Sequence, residues 1–597
     1  SKFPGSVPNV KVVIGEKTEL QKDERGRYIL KISPVPDPQL ISFVLTEQFL
    51  QSARPTMGRE QFKRFREQFE DGLRTEYVKL RVVKVEREVV KTIGDKDTIR
   101  VDIEVTDSQT GRIGQGHYVV PAGTSAGAFE RPVAKTMEEI KAQIDLIHQR
   151  IIKEGIAADD LVAVAQLMLK MEKEGVFLGA QATLGYQMAL AQAVADSKGK
   201  GLYQFIREDL APDLAPKNGF LPVPHSNITN GGEHATNSLD MQEFMVEAYG
   251  ASKAESRQMT LNVDRKLGEI YQALGLAADP DDHGIGGLRG LEGGYKIENL
   301  TTEKLGQIYA NRKEIKQAAG DILNNLDLDR LAQNNVGVHR FVLEAMGAAI
   351  LSAGYKFDKS REIGSVAIAL DLASNEMRIF DKKDKWTGYY HYEGRQITSK
   401  ELTKILLEWS KDLPILSIED GQHEQAWDAW LDMVETFAGT GVTMILDDPL
   451  VTQAGRIDLF LAKMKNLGML DETGKIKPQY KIGILIKLNQ NGFLTTGFND
   501  TKDGYMGTLE VVRYARKVGF QVIDVSHRSK EALPKDENPH LVDVAAAFGA
   551  DNLKIGDPVQ GTRDVFYKRL VEIEQADAAM TGGLGSETIE VLTVMFA

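Results

Sequence analysis

The amino-acid sequence predicts an α/β protein: a C-terminal (β/α)8-type barrel preceded by a smaller α+β capping domain. Three observations point there. After about residue 216 short, wholly apolar runs recur: SVAIALD (365–371), PILSIED (414–420), VTMILDD (442–448), IGILIKL (482–488), FQVIDVSHR (520–528) and DNLKIG (551–556). Helix-compatible segments such as SKELTKILLEWSKD and TLEVVRYARKVG lie between them. Apolar strands alternating with helices belong to parallel sheets covered by helices, and six such units with more chain upstream suit a barrel better than an open sheet. Upstream the order differs, strands first and helices after, as in an α+β domain.

At 597 residues the chain is too long for one ordinary domain. Residues 1–78 form an N-terminal extension of unknown role, mixing VKVVI and ISFVL with the charged REQFKRFREQFEDGLRTEY. Phe62, Phe65 and Phe69 recur there at helical spacing and predict an amphipathic helix. Residues 79–215 hold the capping domain: strands LRVVKVEREVV and IRVDIEVTD, then GHYVVPAGTSAGAFE, then Ala-rich helices over about 134–206. Residues 216–597 hold the barrel, with a helical insertion at about 300–350 and a second insertion, GMLDETGKIKPQY (468–480). Both avoid the apolar strands, as surface insertions do.

Composition excludes several classes of function. The net charge of −13 argues against general nucleic-acid affinity. No apolar run approaches the length of a membrane span. SKFPGSVPNVKVVIGEK lacks an apolar signal core, and the absence of cysteine removes disulfides, thiolate metal sites and a cysteine nucleophile. The expectation is a cytoplasmic protein that acts on a small molecule, with neither nucleic acid nor membrane as partner.

The chemistry concentrates where the strands end. In order, the tips carry Asp371, Glu419, Asp447, Lys487, His527–Arg528–Ser529 and Lys554. A barrel builds its active site on that face. Three carboxylates on successive strands repel one another, and a divalent cation relieves the repulsion. Oxygen-only ligands point to a hard ion, Mg²⁺ first, with Mn²⁺ able to substitute. Lys487 is next in the row, and a nearby cation together with partial desolvation would lower its pKa toward that of a usable base. Arg528, Ser529 and His527 offer a phosphate or carboxylate grip, and Lys554 adds a further positive charge. Such a site holds a small, multiply anionic molecule on a metal and takes a proton from it.

These residues in this order resemble the enolase family. NITNGGEHATNSLDMQEFM (227–245) is similar to the family signature, and LDLASNEM, SIEDGQ, ILDDPLVT, LIKLNQNG, VSHRS and LKIGDP follow in family order. VPAGTSAG (120–127) resembles the family's mobile loop. The resemblance runs from about residue 80 to about 575 and implies reversible dehydration of 2-phospho-D-glycerate to phosphoenolpyruvate with two Mg²⁺ per site, in a homo-oligomer that is a dimer or built from dimers. It makes Asp371, Glu419 and Asp447 the ligands of the tightly held Mg²⁺, and Lys487 the base at C2. Glu292 becomes the acid that assists loss of the C3 hydroxyl, with Glu243 and His234 beside it and Gln242 in the same hydrogen-bonded shell. Arg528 and Ser529 match the phosphate grip, His527 lies over the substrate, Lys554 faces its carboxylate, and Ser125 closes over the second Mg²⁺.

The sequence departs from the family in places. Ile93 and Lys96 stand where Arg and Pro are usual, Ala122 where a loop Ser is usual, Leu291 where Asp precedes the acid, and Gly421 where Pro follows the metal-ligand Glu. Gln560 and Thr562 replace Arg and Glu of the family's RSER, although Arg563 remains. Two other readings stay open: a related enzyme acting on a different acid, and a binding or scaffold protein. The intact SHRS grip with Lys554 and Ser125 speaks against the first, and the retention of every ionisable group against the second.

Overall fold

The structure is a computed structural model. It describes residues 11–14, 19–22, 28–32 and 80–580, except 108–109, 122–128, 217–219, 280, 282–287, 291, 382–385, 498–504, 529 and 531–538. The chain divides into two compact units, Ser1–Lys79 and Leu80–Ala597. In the first, strands β1 (Lys11–Ile14), β2 (Glu19–Lys22) and β3 (Tyr28–Ile32) form a sheet with β3 in the middle, parallel to β1 and antiparallel to β2. The helix expected around Phe62, Phe65 and Phe69 lies outside the described residues.

The second unit opens with the antiparallel sheet β4 (Leu80–Lys91), β5 (Asp97–Asp107) and β6 (Ile113–Val119). Helices α1 (Met137–Glu154), α2 (Leu161–Lys173) and α3 (Ala180–Ser197) follow. Thr136 caps α1 by accepting from the Glu139 amide, and Gly155 ends it at φ +63°. Between the caps, Ile140, Ile144, Ile147 and Ile151 form one buried stripe. α3 is buried on nearly all sides, which its small residues permit. The backbone of β6 lies directly against it: a Cβ on Gly114 would come within 2.2 Å of the Ala193 carbonyl, and one on Gly116 within 2.2 Å of the Ala189 carbonyl. Only glycine allows that approach. The far side of α3 docks on the barrel, where Thr183 Oγ1 donates to the Gly492 carbonyl (2.6 Å) and Gln187 Nε2 to that of Thr495 (2.8 Å).

The barrel closes with eight strands: β7 (Val223–Asn230), β8 (Glu243–Tyr249), β9 (Ser365–Asp371), β10 (Ile415–Glu419), β11 (Thr443–Leu446), β12 (Ile482–Ile486), β13 (Val522–Ser526) and β14 (Asn552–Lys554). Seven run parallel, the six apolar runs of the sequence and β7. β8 is the exception and pairs antiparallel with both β7 and β9. The chain between β7 and β8 carries one short 3₁₀ turn and no crossover helix, so it can only double back. Helix α4 (Lys253–Ala273) follows β8, and the insertion at 300–350 is helical, ending in the long α5 (Val338–Ser352) before β9. A three-stranded ribbon over residues 378–398, which the apolar pattern did not announce, follows β9. No helix among the described residues is long and apolar enough to cross a membrane.

The barrel interior holds an ion triad. His225 on β7 lies 2.9 Å from Glu247 of β8 and 2.9 Å from Asp524 of β13, with all three buried. Burial alone would lower the His225 pKa, but Asp524 and Glu247 outweigh it and hold it up to about 10. The imidazolium therefore contributes stability that is complete below the unfolded value of about 6.5 and is lost as pH rises toward the folded value. His225→Gln strands two buried carboxylates and is expected to cost about 3 kcal/mol at neutral pH in urea denaturation. The gap between variant and wild type should narrow steadily from neutral pH to alkaline pH, and a constant gap would show that the ring is not charged.

Candidate active site

One rim of the barrel collects the ionisable side chains. Strand register sets Asp371 opposite both Glu419 and Glu243, Glu243 opposite Asn230, and Lys554 opposite Ser526. The reversal of β8 puts its first residue, Glu243, on the rim where the parallel strands end. β11, β12 and β13 stop one residue short of Asp447, Lys487 and His527. The chain turns sharply just beyond the tips: Ala373 (φ +48°), Asp420 (+44°), Val451 (+41°) and Thr452 (+53°) all take left-handed backbone. Such conformations cost about 1–3 kcal/mol each and persist only where surroundings enforce them. Here the Asp420 carboxylate accepts from the amides of Asp447 (3.0 Å) and Asp448 (3.1 Å), and Thr452 Oγ1 from the amide of Lys487 (3.0 Å).

Lys554 is the electrostatic centre. Its Nζ donates to Asp371 Oδ2 (2.6 Å) and to both oxygens of Glu419 (3.2 and 3.1 Å), and lies 3.4 Å from Glu243 Oε2. Burial works against this ammonium, and Asp371, Glu243 and Glu419 more than restore it, raising its pKa. Lys487 pairs with Asp447, whose other oxygen accepts from Gln490 Nε2 at 2.9 Å. For Lys487 the expected lowering combined desolvation with the charge of a nearby cation. Burial does act in that direction, with Arg528 and Lys554 beside it, but Asp447 and Glu419 together outweigh them and raise the Lys487 pKa. Acids still outnumber these cations locally: burial and Asp371 raise Glu419, burial and Asp448 raise Asp420, and burial with Asp447 lifts Asp448 to about 7.

Glu292 sits on the opposite side, 3.2 Å from His527 Nε2 and 3.5 Å from the Arg563 guanidinium. Burial would raise its pKa, yet His527, Arg563, His234 and Lys554 together pull it down to about 2. Burial and Arg563 push His527 itself down to about 3, so at neutral pH its ring is neutral and the full charges holding the Glu292 carboxylate are those of Arg563 and Lys554. Burial, with Glu292 and Asp371, lifts Glu243 to about 8 against Lys554. Between the two carboxyls, a proton is thus favoured on Glu243 and disfavoured on Glu292. Gln242 Nε2 contacts His234 Nε2, and burial lowers His234.

His234, Glu243 and Glu292 bring ligand atoms within 4.8 Å of one another, as do Asp420, Asp447 and Asp448. Of the three acids expected to bind metal, Asp371 and Glu419 converge on Lys554, while Asp447 faces Lys487 and joins the second cluster. Arg528 reaches Glu130 of the capping domain (3.3 Å). Ser125, Ser529 and Leu291 lie outside the described residues. A cavity of about 580 Å³ lined by residues such as Gln115, His117, Asp543 and Arg569 shares none of these groups.

Sequence reasoning passed over Asp420 and Asp448, although each is the second acid of a visible pair in SIEDGQ and ILDDPL. It also passed over Asn375, which donates to Asp448 (2.6 Å) and accepts from the Glu424 amide (2.9 Å). His339, at the start of α5, was equally hidden. Its Nε2 accepts from the amides of Asp240 (2.8 Å) and Met241 (3.3 Å), and its Nδ1 lies 3.0 Å from Glu393, so it braces the loop leading into Gln242 and Glu243. No local motif marks that residue.

Residues 218–304 and 298–589 match the family model described as enolase, C-terminal TIM barrel domain. Over 503 residues the chain is 30% identical to the protein named enolase of Elusimicrobium minutum (strain Pei191), an alignment that covers 82% of this chain and 95% of that protein. A barrel matched nearly throughout, its one antiparallel strand bringing Glu243 to a rim already set with Asp371, Glu419, Asp447, Lys487 and Lys554, and a relative matched almost end to end lead to one conclusion: the chain belongs to the enolase family.

Proposed function

We propose that the protein is a phosphopyruvate hydratase, reversibly dehydrating 2-phospho-D-glycerate to phosphoenolpyruvate with Mg²⁺. The observation that carries this reading is the placement of two lysines against the carboxylates of one barrel rim, with a separate Glu243–Glu292 pair beside them. The relative from Elusimicrobium minutum bears the name enolase.

The donor set fits a hard divalent cation. Asp371, Glu419 and Asp447 are buried oxygen donors, and their positive partners are the Lys554 and Lys487 ammonium groups. The raised Glu419, Asp420 and Asp448 register an excess of negative charge that two lysines do not neutralise. Asp371, Glu419 and Asp447 would hold one Mg²⁺, and Ser125 would contribute at a second. Bound Mg²⁺ supplies Lewis-acid stabilisation of a substrate carboxylate that gains negative charge.

The chain's own groups would divide the remaining work. Lys487 is the base at C2. Burial, Arg528 and Lys554 disfavour its ammonium while Asp447 and Glu419 favour it, so weakening the hold of those two carboxylates would free the amine to take a proton. Lys554 holds the substrate carboxylate from its anchored position. Glu292, fixed by Arg563 and His527, faces the departing hydroxyl, and neighbouring Glu243 holds the proton that the hydroxyl requires. Arg528, His527 and Ser529 grip the phosphate.

Turnover is read from the ultraviolet absorbance of the enol phosphate formed from 2-phosphoglycerate and Mg²⁺. Folded protein that forms none would end this reading. Lys487→Ala should lower kcat by at least about 10³-fold, within the range for a general base. It should leave the Mg²⁺-induced rise in melting temperature largely intact, and residual activity within about tenfold of wild type would remove Lys487 from the role. Glu419→Gln should abolish that Mg²⁺-induced rise, which reaches about 2.7 kcal/mol of added stability at a hundredfold excess over Kd. A full rise in the variant would exclude Glu419 as a ligand.

A further inference from the structure

Three residues before Glu292 stands Arg289, which is fully buried. Its guanidinium forks onto Asp264 of α4 (3.0 and 2.6 Å), reaches Asp557 Oδ2 (3.0 Å) and lies 4.2 Å from the centre of the Tyr295 ring. Asp557 belongs to the turn just after Lys554. Its Oδ2 also accepts from the Gly294 amide, and its Oδ1 accepts from the amides of Val559 (3.0 Å) and Gln560 (3.0 Å). Gln560 Nε2 reaches back to the Gly290 carbonyl. On the other flank, Asn230 Nδ2 donates to the carbonyls of Gly293 and, at 2.9 Å, Gly294. The segment bearing Glu292 is thus tied on one side to the tip of β7 and on the other to the turn after Lys554. The approach is close enough that a Cβ on Gly293, at φ +79°, would fall 2.7 Å from the Asp557 amide nitrogen.

A buried ion pair is a poor way to gain stability, because desolvation offsets most of its attraction. Its advantage is direction. The arginine fork fixes the plane of the carboxylate, and that carboxylate satisfies three backbone amides that an apolar side chain would leave unpaired. We propose that Arg289 and Asp557 are a positioning pair that locks the Glu292 backbone to the turn after Lys554 and so sets the place of the Glu292 carboxylate relative to the reacting hydroxyl. The role of Glu292 in this inference rests on the proposed function. The pair touches no substrate and acts through Glu292, not through Lys487.

That division gives a test which a merely structural role would not pass. Asp557→Asn keeps the Oδ1 acceptor for the Val559 and Gln560 amides and removes the charge facing Arg289 together with the acceptor for the Gly294 amide. It is expected to lower kcat for dehydration by about 10–100-fold, the usual effect of losing a supporting contact. KM should stay within about threefold, because ground-state binding is untouched. Exchange of the substrate C2 proton with solvent deuterium, which needs the Lys487 base but not Glu292, should also stay within about threefold of wild type. In the substrate-free protein, amide hydrogen exchange of a peptide spanning 288–296 should quicken while peptides of the β9–β12 strands do not change. Arg289→Met should act in the same sense and more strongly, and Arg289→Lys should recover part of the loss. If Arg289→Met fails to fold, Asp557→Asn decides. Equal loss of C2 exchange and dehydration, an unchanged 288–296 peptide, or a loosened peptide with kcat within about threefold of wild type would each overturn the inference. Wild-type protein that neither exchanges nor dehydrates 2-phosphoglycerate would instead overturn the proposed function, and the amide-exchange result would then decide the tie between Arg289 and Asp557 on its own.

Discussion

Lys554 places an ammonium among Asp371, Glu419 and Glu243 at the mouth of a barrel whose walls are apolar. Each of those charges would cost several kcal/mol to bury alone. The rim therefore has to be assembled as a set, with Lys554 against Asp371 and Glu419, Lys487 against Asp447, and Arg563 against Glu292. Pairing is incomplete, and burial together with neighbouring acids drives carboxyl groups upward: Glu419, Asp420, Asp448 and Glu243. A site with surplus buried negative charge is prepared for a cation and for a substrate whose charge changes during reaction.

Holding that set requires the rest of the molecule. The left-handed residues after β9, β10 and β11 bend the chain away immediately beyond the tips, which leaves the carboxylates at the rim. Hydrogen bonds to Asp420 and Thr452 keep those turns in place. The capping domain reinforces the Lys487 side, because α3 and the Arg131 amide, which donates to the Gln490 carbonyl at 2.9 Å, clamp the chain that follows the lysine. The Glu292 side has a different support, the buried network of Arg289, Asp557, Gln560 and Asn230. The two sides of the site are thus braced independently, which suits a reaction that needs a base and an acid held apart.

Much of this was legible in the sequence, for definite reasons. Apolar strands ending in Asp371, Glu419, Asp447 and Lys487 announce a barrel and its functional rim, since period and burial set both. The antiparallel direction of β8 was not announced, because its apolar residues look the same either way and only the missing crossover helix decides it. The charge states were also beyond reach. Desolvation of Lys487 could be inferred from its strand, but the opposing pull of Asp447 and Glu419 depends on contacts such as that with Asp447, across forty positions of chain. Likewise a proton is disfavoured on Glu292 by His527 and Arg563 beside it and favoured on buried Glu243, and neither neighbour is near Glu292 in the chain.

The sequence by itself determined which residues stand at the strand tips, their order around the barrel, and the membership in a family that those motifs mark. These are properties of local pattern: alternation of strand and helix, and the identity of each residue where a strand must stop. The tertiary structure alone decided which charge meets which. His339 and Arg289 carry no motif, and nothing in LKIGDP says that its Asp557 meets Arg289, yet the three brace the loops that present Glu243 and Glu292. Electrostatic energy depends on separation in space and on burial, and neither is written in the spacing of residues along the chain.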